Sequence, residues 1–256
     1  ILMVGVSYII RRNMKESPLF AKAKKEGKTS TNPLKESFGN KFNFKFVLLA
    51  LFGAVMGQGV IWYTGQFYAM SFMQKTMNLE SAQVDSLMAL ALFLGTPFFV
   101  LFGWLSDKIG RKPIILIGIL VAIVSYRPIY DKMYKLADTS QKTVLANGIS
   151  EKRTAVAHAK IAGDSTITFH HETKYEDGFV VKKDSIVHFS PAGPVMTDGK
   201  VEAPKVNTAI TVDPDTRWTL VFLVFIQVIF VTMVYGPIAA FLVEMFPVRI
   251  RYTSMS

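Results

Sequence analysis

The chain has 256 residues, of which 29 are Lys or Arg and 19 are Asp or Glu, so its formal net charge is +10. It contains no cysteine, which excludes a disulfide scaffold, a thiolate metal site and a cysteine nucleophile. Half of the residues are hydrophobic, and the mean hydropathy is +0.31, above the range of a soluble domain of this length. The apolar residues must therefore be concentrated in particular segments.

Four apolar segments are long enough to cross a membrane as helices. Three of them contain no charged residue over their central 21 to 29 positions, and at about 1.5 Å per residue each can span a hydrocarbon core of about 30 Å. The fourth reaches this length if Arg127 extends its side chain to the membrane interface. The pattern predicts transmembrane helices over 46–74, 86–106, 113–130 and 217–243, and we interpret residues 1–10 as the end of a preceding one.

Lys and Arg alternate between the connections in the way that a membrane topology requires. Residues 11–45 carry ten basic and three acidic side chains, whereas 75–85 carry one basic and two acidic ones. Because cytoplasmic loops retain Lys and Arg, we assign 11–45, 107–112 and the tail 244–256 to the cytoplasm, and the polar insert 131–216 to the opposite side. This topology accounts for most of the positive charge, so the expected partner is the lipid bilayer and not nucleic acid.

The connection between the second and third complete spans carries a specific order of residues. It reads GWLSDKIGRKP, with glycines, one acid and a cluster of cations at fixed spacing. This pattern resembles the signature loop of the major facilitator superfamily, with Lys where Arg is commoner after the Asp. The matching residues are Gly103, Asp107, Lys108, Gly110, Arg111 and Lys112.

Three further stretches resemble the same superfamily. KESPLF (15–20) is similar to the element after the sixth helix of sugar porters, and residues 236–256 are similar to the end of the tenth helix and its loop. Residues 57–69 are similar to the seventh helix of the metabolite:proton symporters. The resemblance implies an all-α polytopic membrane protein, here a partial C-terminal half running from the end of helix six to the loop after helix ten, which needs the N-terminal half of the same transporter as its partner.

The resemblance also implies a function. A metabolite:proton symporter takes up a small organic acid, betaine or similar solute together with a proton across the bacterial inner membrane by alternating access, with no cofactor and no enzymatic step. Two alternatives stay open at this point: a facilitator without ion coupling, and a membrane sensor or binding protein whose insert captures an external ligand. The chain contains no pattern of residues typical of an enzyme site.

Charged residues at the cytoplasmic helix ends are the candidates for gating. The resemblance implies that Asp107 and Arg111 join an ion-pair network that closes the outward-facing state, with Glu244 as an acceptor and Arg249 as a further donor. Arg is suited to this role because it stays charged and can hold two carboxylates at once. The alternative is that these residues only anchor the helices at the membrane interface.

Polar and aromatic residues within the spans are the candidates for contact with a solute. Gln58, Trp62 and Gln66 are spaced four apart, so they share one helix face, and Tyr63 lies beside them. Amides at this depth face the bundle interior or a wet cavity, although they could instead hydrogen-bond neighbouring helices. The last span adds Gln227 and Tyr235 to the predicted cavity set. No acid or His lies in the middle of these spans, so we expect the proton-binding residue elsewhere in the transporter.

The polar insert 131–216 has the sequence of a small, β-rich domain. Residues 150–161 suggest a helix that Gly163 would end. Two alternating stretches flank Asp177-Gly178, a strong signal for a β-hairpin. All four His residues lie in the insert; adjacent residues point to opposite faces of a strand, so the pattern does not favour a metal site. They are His158, His170, His171 and His188.

Overall fold

The computed structural model combines long helices with one antiparallel sheet. The predicted helix end at 1–10, the segment 15–20, His158 and Arg249 lie outside the residues that it describes. Those described are 25, 32–140, 142–157, 165–190, 193–194, 196–197, 200–201 and 204–246.

Within this part of the chain, a short helix precedes four helices that are long and apolar enough to cross a membrane. Their outward-facing side chains are largely apolar, with Phe93, Val100 and Val124 each about three-quarters exposed, which suits contact with lipid and not with water. The helices are α1 (Pro33–Gly39), α2 (Lys41–Thr76), α3 (Ser81–Ile109), α4 (Arg111–Leu136) and α5 (Pro214–Met245).

Each long helix extends beyond the apolar segment that predicted it. The largest difference is at α4, which continues through Arg127 and Pro128 as far as Leu136. Charged residues at the ends of a membrane helix reach the interface with their side chains, so a helix does not stop where its uncharged run stops. The helix α4 therefore continues six residues into the segment 131–216 that is predicted as the polar insert.

The core of the bundle is formed where α5 packs against α3 and α4. Its centre is apolar, and two glycines allow close approach of the helices. A Cβ atom at Gly95 of α3 would lie 2.4 Å from Val228 Cγ1, and one at Gly118 of α4 would lie 2.9 Å from Val234 Cγ2. Any larger residue at either position would force α5 away from its neighbour.

The insert folds mainly as a five-stranded antiparallel sheet. Strand β2 pairs on one side with β1 and on the other with β3, whose far edge is shared by β7 and β4; β5 and β6 form a separate pair. The predicted hairpin is confirmed: Asp177 and Gly178 lie in the turn between β2 and β3, and Gly178 has a φ of +93°. The strands are β1 (Val144–Ala157), β2 (Ser165–Tyr175), β3 (Val180–Ser190), β4 (Gly193–Pro194), β5 (Met196–Thr197), β6 (Lys200–Val201) and β7 (Lys205–Thr211).

The helix predicted over 150–161 is wrong over its described part. Residues 150–157 belong to β1, which pairs residue by residue with β2 from Ile149↔Thr173 to Ala157↔Ser165. The alanines of this stretch favour a helix locally, but continuous pairing with a neighbouring strand outweighs that small preference. Residues 158–161 and Gly163 lie outside the described residues.

The sheet is joined by hydrogen bonds to one end of the helical bundle. The Ile210 N–H donates to the Asn78 carbonyl oxygen at 2.7 Å, and the Glu80 N–H donates to the Ile210 carbonyl oxygen at 2.9 Å. The Gln83 side chain both donates to the Val212 carbonyl oxygen and accepts from the Val212 N–H, each at 3.0 Å. The connection between α2 and α3, the start of α3 and strand β7 therefore form one continuous hydrogen-bonded unit.

Candidate functional site

Arg111 connects three helix ends at the far end of the bundle from the sheet. Its Nη2 atom lies 3.1 Å from Asp107 Oδ1 on α3, and its Nη1 atom lies 2.6 Å from Glu244 Oε1 on α5. The Arg111 side chain is only 20% exposed, whereas the two carboxylates are 65% and 63% exposed. The structure thus brings together three of the four residues predicted for the ion-pair network, and we name these three the Arg111 cluster.

The chain reverses direction beside this cluster within a single residue. Gly110 ends α3 and precedes Arg111, the first residue of α4, with a φ of +103° that favours glycine. The connection predicted over 107–112 is therefore almost wholly helical. This tight reversal places Asp107 and Arg111 four residues apart on the same side of the junction, so that their side chains meet.

The other glycine of the pattern, Gly103, serves the packing of α5. A Cβ atom at Gly236 of α5 would lie 3.3 Å from the Gly103 N atom and 3.1 Å from the Phe99 carbonyl oxygen. Nothing lies within 4 Å of a Cβ built at Gly103 itself, so the contact is made by its backbone. This approach brings α5 against α3 at Gly236, more than two helical turns before Glu244 reaches Arg111.

The two lysines of the pattern lie outside the Arg111 cluster. The Lys108 Nζ atom lies 3.9 Å from the centroid of the Trp104 ring, and Lys112 is exposed. A cation above an indole ring near a membrane interface is a stable arrangement in its own right. Arg249, the fourth predicted member of the network, lies outside the described residues.

The predicted solute-facing residues of α2 are centred on Trp62. Its Nε1–H donates to Gln66 Oε1 at 2.6 Å, which fixes the orientation of the indole ring. The ring centroid lies 5.6 Å from that of Tyr235 on α5 and 5.9 Å from that of Tyr63. Trp62, Tyr63, Gln66 and Tyr235 therefore form one surface patch, named the Trp62 patch; half-buried Gln58 lies one turn before Trp62 on α2.

Gln227 does not belong to the Trp62 patch. Its side chain is fully buried in the helix packing, where Nε2 lies 3.4 Å from the Leu223 carbonyl oxygen and 3.6 Å from Met133 Sδ. Its Oε1 atom is buried without a hydrogen-bond partner among the described residues. Spacing along α5 could not show this, because α5 is apolar on every side and gives no sign of which face is covered.

Two tyrosines of α4 that the sequence analysis did not single out contact α2 directly. The Tyr126 hydroxyl donates to the Ile61 carbonyl oxygen at 2.9 Å, and the Tyr130 hydroxyl donates to the Thr64 carbonyl oxygen at 2.6 Å. Both accepting carbonyls lie within two residues of Trp62. The spacing of four between Tyr126 and Tyr130 in a predicted span indicates that they share one helix face. Their partners are backbone atoms, which sequence spacing does not reveal.

The His residues of the sheet form pairwise contacts. His170 Nδ1 lies 2.8 Å from Asp184 Oδ1, and His171 Nδ1 lies 3.1 Å from Glu151 Oε1. His188 contacts the Thr166 hydroxyl. In the described part of the chain no three His, Asp or Glu side chains are grouped so that they could hold a metal ion.

Beside the hairpin turn, Asp177 forms an ion pair with Lys142, whose Nζ atom also lies 3.5 Å from the centroid of the buried Phe179 ring. Burial raises the pKa of Asp177, but the hydrogen bonds from Lys142 and the Phe179 N–H outweigh it, so the pKa lies below the ordinary value of 3.8. The pair ties the start of the insert to the β2–β3 turn.

Comparison with known proteins gives a consistent match over the first half of the chain. The profile of the Major Facilitator Superfamily matches residues 1–130, which is half of the chain. These residues include α2, α3, the Gly110 reversal and most of α4. No solved structure gives a significant match.

The matching relatives are named as transporters. A provisionally assigned proline/betaine transporter of Staphylococcus aureus (strain COL) is 27% identical over 113 residues, which are 43% of this chain and 23% of the relative. A provisionally assigned transporter of Escherichia coli (strain K12), YdfJ, is 31% identical over 132 residues, which are 49% of this chain and 30% of the relative. The chain thus covers less than a third of the length of these relatives.

Proposed function

This chain belongs to the Major Facilitator Superfamily, and we propose that it acts as part of a secondary active transporter that takes up a small zwitterionic or acidic metabolite by alternating access. The membrane-length helices and the transporter relatives support transport across a membrane. The finer proposal is proton-coupled uptake across a bacterial inner membrane. The proposed solutes are of the proline and betaine type, the class that the names of several relatives give.

The single observation that carries alternating access is the Arg111 cluster. Transporters of this kind open and close by rocking one group of helices against another around a fixed site. Arg111 joins α4 to α3 and α5 through two ion pairs whose carboxylates are about two-thirds exposed. Exposed ion pairs contribute only about 0 to 1 kcal/mol each, so they can break and reform during a transport cycle.

The proposed solute site is the Trp62 patch. Its aromatic faces and amide groups can contact both the apolar body and the polar ends of a small zwitterion. Trp62 and Tyr235 come from different helices, so movement of α5 relative to α2 would change the patch. In the whole transporter the patch would face the other half across the central cavity.

The proposed orientation places the Arg111 cluster in the cytoplasm and the sheet in the periplasm. The helix α3 runs between them for 29 residues, which corresponds to about 43 Å at 1.5 Å per residue. Support comes from the excess of basic over acidic side chains, which is ten against three in 11–45 and three against one in 107–112. Labelling of Lys residues in the sheet by a membrane-impermeant reagent added to the periplasm tests this orientation.

Uptake by the full-length protein in proteoliposomes tests the function. Radiolabelled proline and glycine betaine are supplied outside, with and without an inward proton gradient. We expect accumulation above the external concentration only when the gradient is present, because coupling provides the free energy for concentration. Empty liposomes and a protonophore serve as controls.

The two alternatives give different results in the same assay. Uptake that equilibrates and ignores the gradient identifies an uncoupled facilitator. Absence of uptake, together with binding of the solutes to the protein, identifies a sensor or binding protein. Removal of the sheet separates these cases further, since a transporter retains uptake without it and a sensor loses its response.

A further inference from the structure

We infer that Tyr126 and Tyr130 are positioning residues that hold the solute-facing part of α2 through its backbone. The inference rests on the proposed function, because it takes the Trp62 patch as the solute site. Its basis is a pair of contacts in which two side chains of α4 bind the carbonyl oxygens of Ile61 and Thr64, which flank Trp62 and Tyr63 of the patch.

The first step concerns the helix itself. The helix α2 contains three π-helical segments, and the middle one, Tyr63–Tyr68, contains Gln66 and directly follows Trp62. π-Helical segments are rare and are found mostly at functional sites, because the wider turn changes the direction of side chains and weakens the regular backbone hydrogen bonds. Such a segment needs contacts from neighbouring elements to keep one conformation.

The second step concerns what supplies those contacts. A backbone carbonyl oxygen has two lone pairs, so it can accept a bond from a side chain in addition to its bond within the helix. The Tyr126 hydroxyl binds the Ile61 carbonyl at 2.9 Å and the Tyr130 hydroxyl binds the Thr64 carbonyl at 2.6 Å. Both bonds are partly buried, and replacing either tyrosine by Phe would remove the tie between α4 and the α2 backbone at that carbonyl.

The third step concerns the closeness of the helices. A Cβ atom at Gly65, within the π-helical segment, would lie 3.2 Å from the Tyr126 hydroxyl oxygen and 3.2 Å from Val231 Cγ2 of α5. A side chain at this position would be tight against both α4 and α5, so Gly65 favours the close approach of α2 to both helices. The tyrosine bonds and Gly65 therefore act on the same short stretch of backbone.

The fourth step connects this stretch to the solute site. The Ile61 and Thr64 carbonyls flank Trp62 in the chain, and Trp62 in turn bonds to Gln66 at 2.6 Å. A shift of the backbone here moves both side chains together. The observed hydrogen bonds of the two tyrosines are to the backbone of α2, so the proposed action is through the geometry of α2.

The experiment compares Tyr126→Phe and Tyr130→Phe in the full-length protein with the control Tyr134→Phe. Phe keeps the ring and removes only the hydroxyl, and Tyr134 lies one turn further along α4 with a side chain that is 56% exposed. We expect each of the first two variants to raise the KM for proline or betaine uptake about threefold, with Vmax and membrane abundance nearly unchanged, and the control to alter neither. A purely structural role would lower abundance or Vmax and leave KM unchanged.

A second readout does not depend on transport. The 256 residues contain no cysteine, so Phe67→Cys introduces a thiol into the π-helical segment at a position that is about half exposed. We expect Tyr126→Phe and Tyr130→Phe to increase the rate at which a water-soluble maleimide reacts with this thiol, relative to Tyr134→Phe, because the segment opens more often.

The outcomes separate the inference from the proposed function. If the unaltered protein transports neither proline nor betaine, the proposed solutes are wrong, and the thiol reaction still decides the role of the tyrosines. If transport occurs and both the KM and the thiol rate match those of the Tyr134→Phe control, the positioning role is wrong. An equal change in all three variants also overturns it.

Discussion

The two ends of the helical bundle are held together by different kinds of bond. At the end beside the sheet, Asn78 and Glu80 of the α2–α3 connection form backbone hydrogen bonds with Ile210 of β7, and the Gln83 amide of α3 satisfies both the donor and the acceptor of Val212. At the other end, α3, α4 and α5 are linked by the side chain of Arg111 and two exposed carboxylates. Half-buried backbone bonds are costly to break, whereas exposed ion pairs exchange readily with water.

This difference indicates which end can open. The sheet end fixes the starts of α3 and α5 relative to one another, since β7 leads into α5 through only Val212 and Asp213. At the Arg111 end the two carboxylates are about two-thirds exposed, so water can replace Arg111 as their partner when the helices separate. We therefore expect α3, α5 and the sheet to move as one body, with the rearrangement of contacts concentrated at the Arg111 cluster.

The largest expected loss of stability comes from a change in the close contact between α3 and α5, which lies between the two ends of the bundle. Gly95→Ala places a Cβ atom 2.4 Å from Val228 Cγ1 and should lower the free energy of unfolding by about 2 to 3 kcal/mol, because α5 must shift or Val228 must change rotamer. Thermal unfolding of the purified protein measures it. Gly53→Ala is the matched control, since nothing lies within 4 Å of its Cβ; equal losses in both variants would contradict the close packing of α3 and α5.

A change at the sheet end should have a smaller effect on stability. Gln83→Ala leaves the N–H and carbonyl of Val212 without their partners and should destabilise the protein by about 2 kcal/mol. Hydrogen exchange at Val212 should accelerate in the same variant. The control is Asp85→Ala, an exposed position in the same helical turn, and an unchanged exchange rate in Gln83→Ala would show that the sheet is held by other contacts.

A change at the Arg111 end should alter transport more than stability. Arg111→Ala removes both ion pairs and should lower the rate of uptake about tenfold, which corresponds to about 1.4 kcal/mol, while the unfolding temperature stays nearly constant. Arg111→Lys should retain part of the rate, since Lys cannot hold both carboxylates with a planar fork. Lys112→Ala is the control. Equal uptake rates in Arg111→Ala and Lys112→Ala would contradict a gating role for Arg111.

The smallest expected effect is on the pH dependence of the stability of the sheet. The folded-state pKa of Asp177 lies below 3.8, so its carboxylate stabilises the folded sheet above the unfolded pKa, and this contribution is lost as the pH falls below about 3.8. Asp177→Asn should remove this part of the acid sensitivity, with a difference of less than about 1 kcal/mol at neutral pH because the pair is partly exposed. Unfolding curves of both proteins from pH 6 to pH 3 measure it, and parallel curves would show that the pair with Lys142 contributes nothing.

The sequence predicted those features that depend on local pattern. Apolar length located the four spans, and Asp177-Gly178 located the hairpin. Arg111, Asp107 and Glu244 were predicted as neighbours from the resemblance of the Gly110 region to a known signature, although Glu244 is 133 positions from Arg111. The structure confirms that these three side chains meet, whereas their role in gating stays a prediction.

The features that the sequence did not predict depend on partners that leave no local pattern. Residues 150–157 contain alanines that favour a helix, and only pairing with β2 makes them a strand. Tyr126 and Tyr130 bind backbone carbonyls, which every residue has, so no spacing identifies the acceptor. Gln227 lies in a helix that is apolar on every side, and its burial follows from which neighbours cover it.

The attachment of the sheet also has a practical consequence for imaging. Most of the mass of a transporter is hidden within a detergent micelle or nanodisc, which leaves few features for the alignment of particle images. Here β1 is largely exposed and β2 is partly exposed, and the two-residue connection from β7 to α5 limits the angle between these strands and the helices. An antibody fragment raised against these strands would therefore serve as an external fiducial whose tilt reports the rotation of the bundle beneath it.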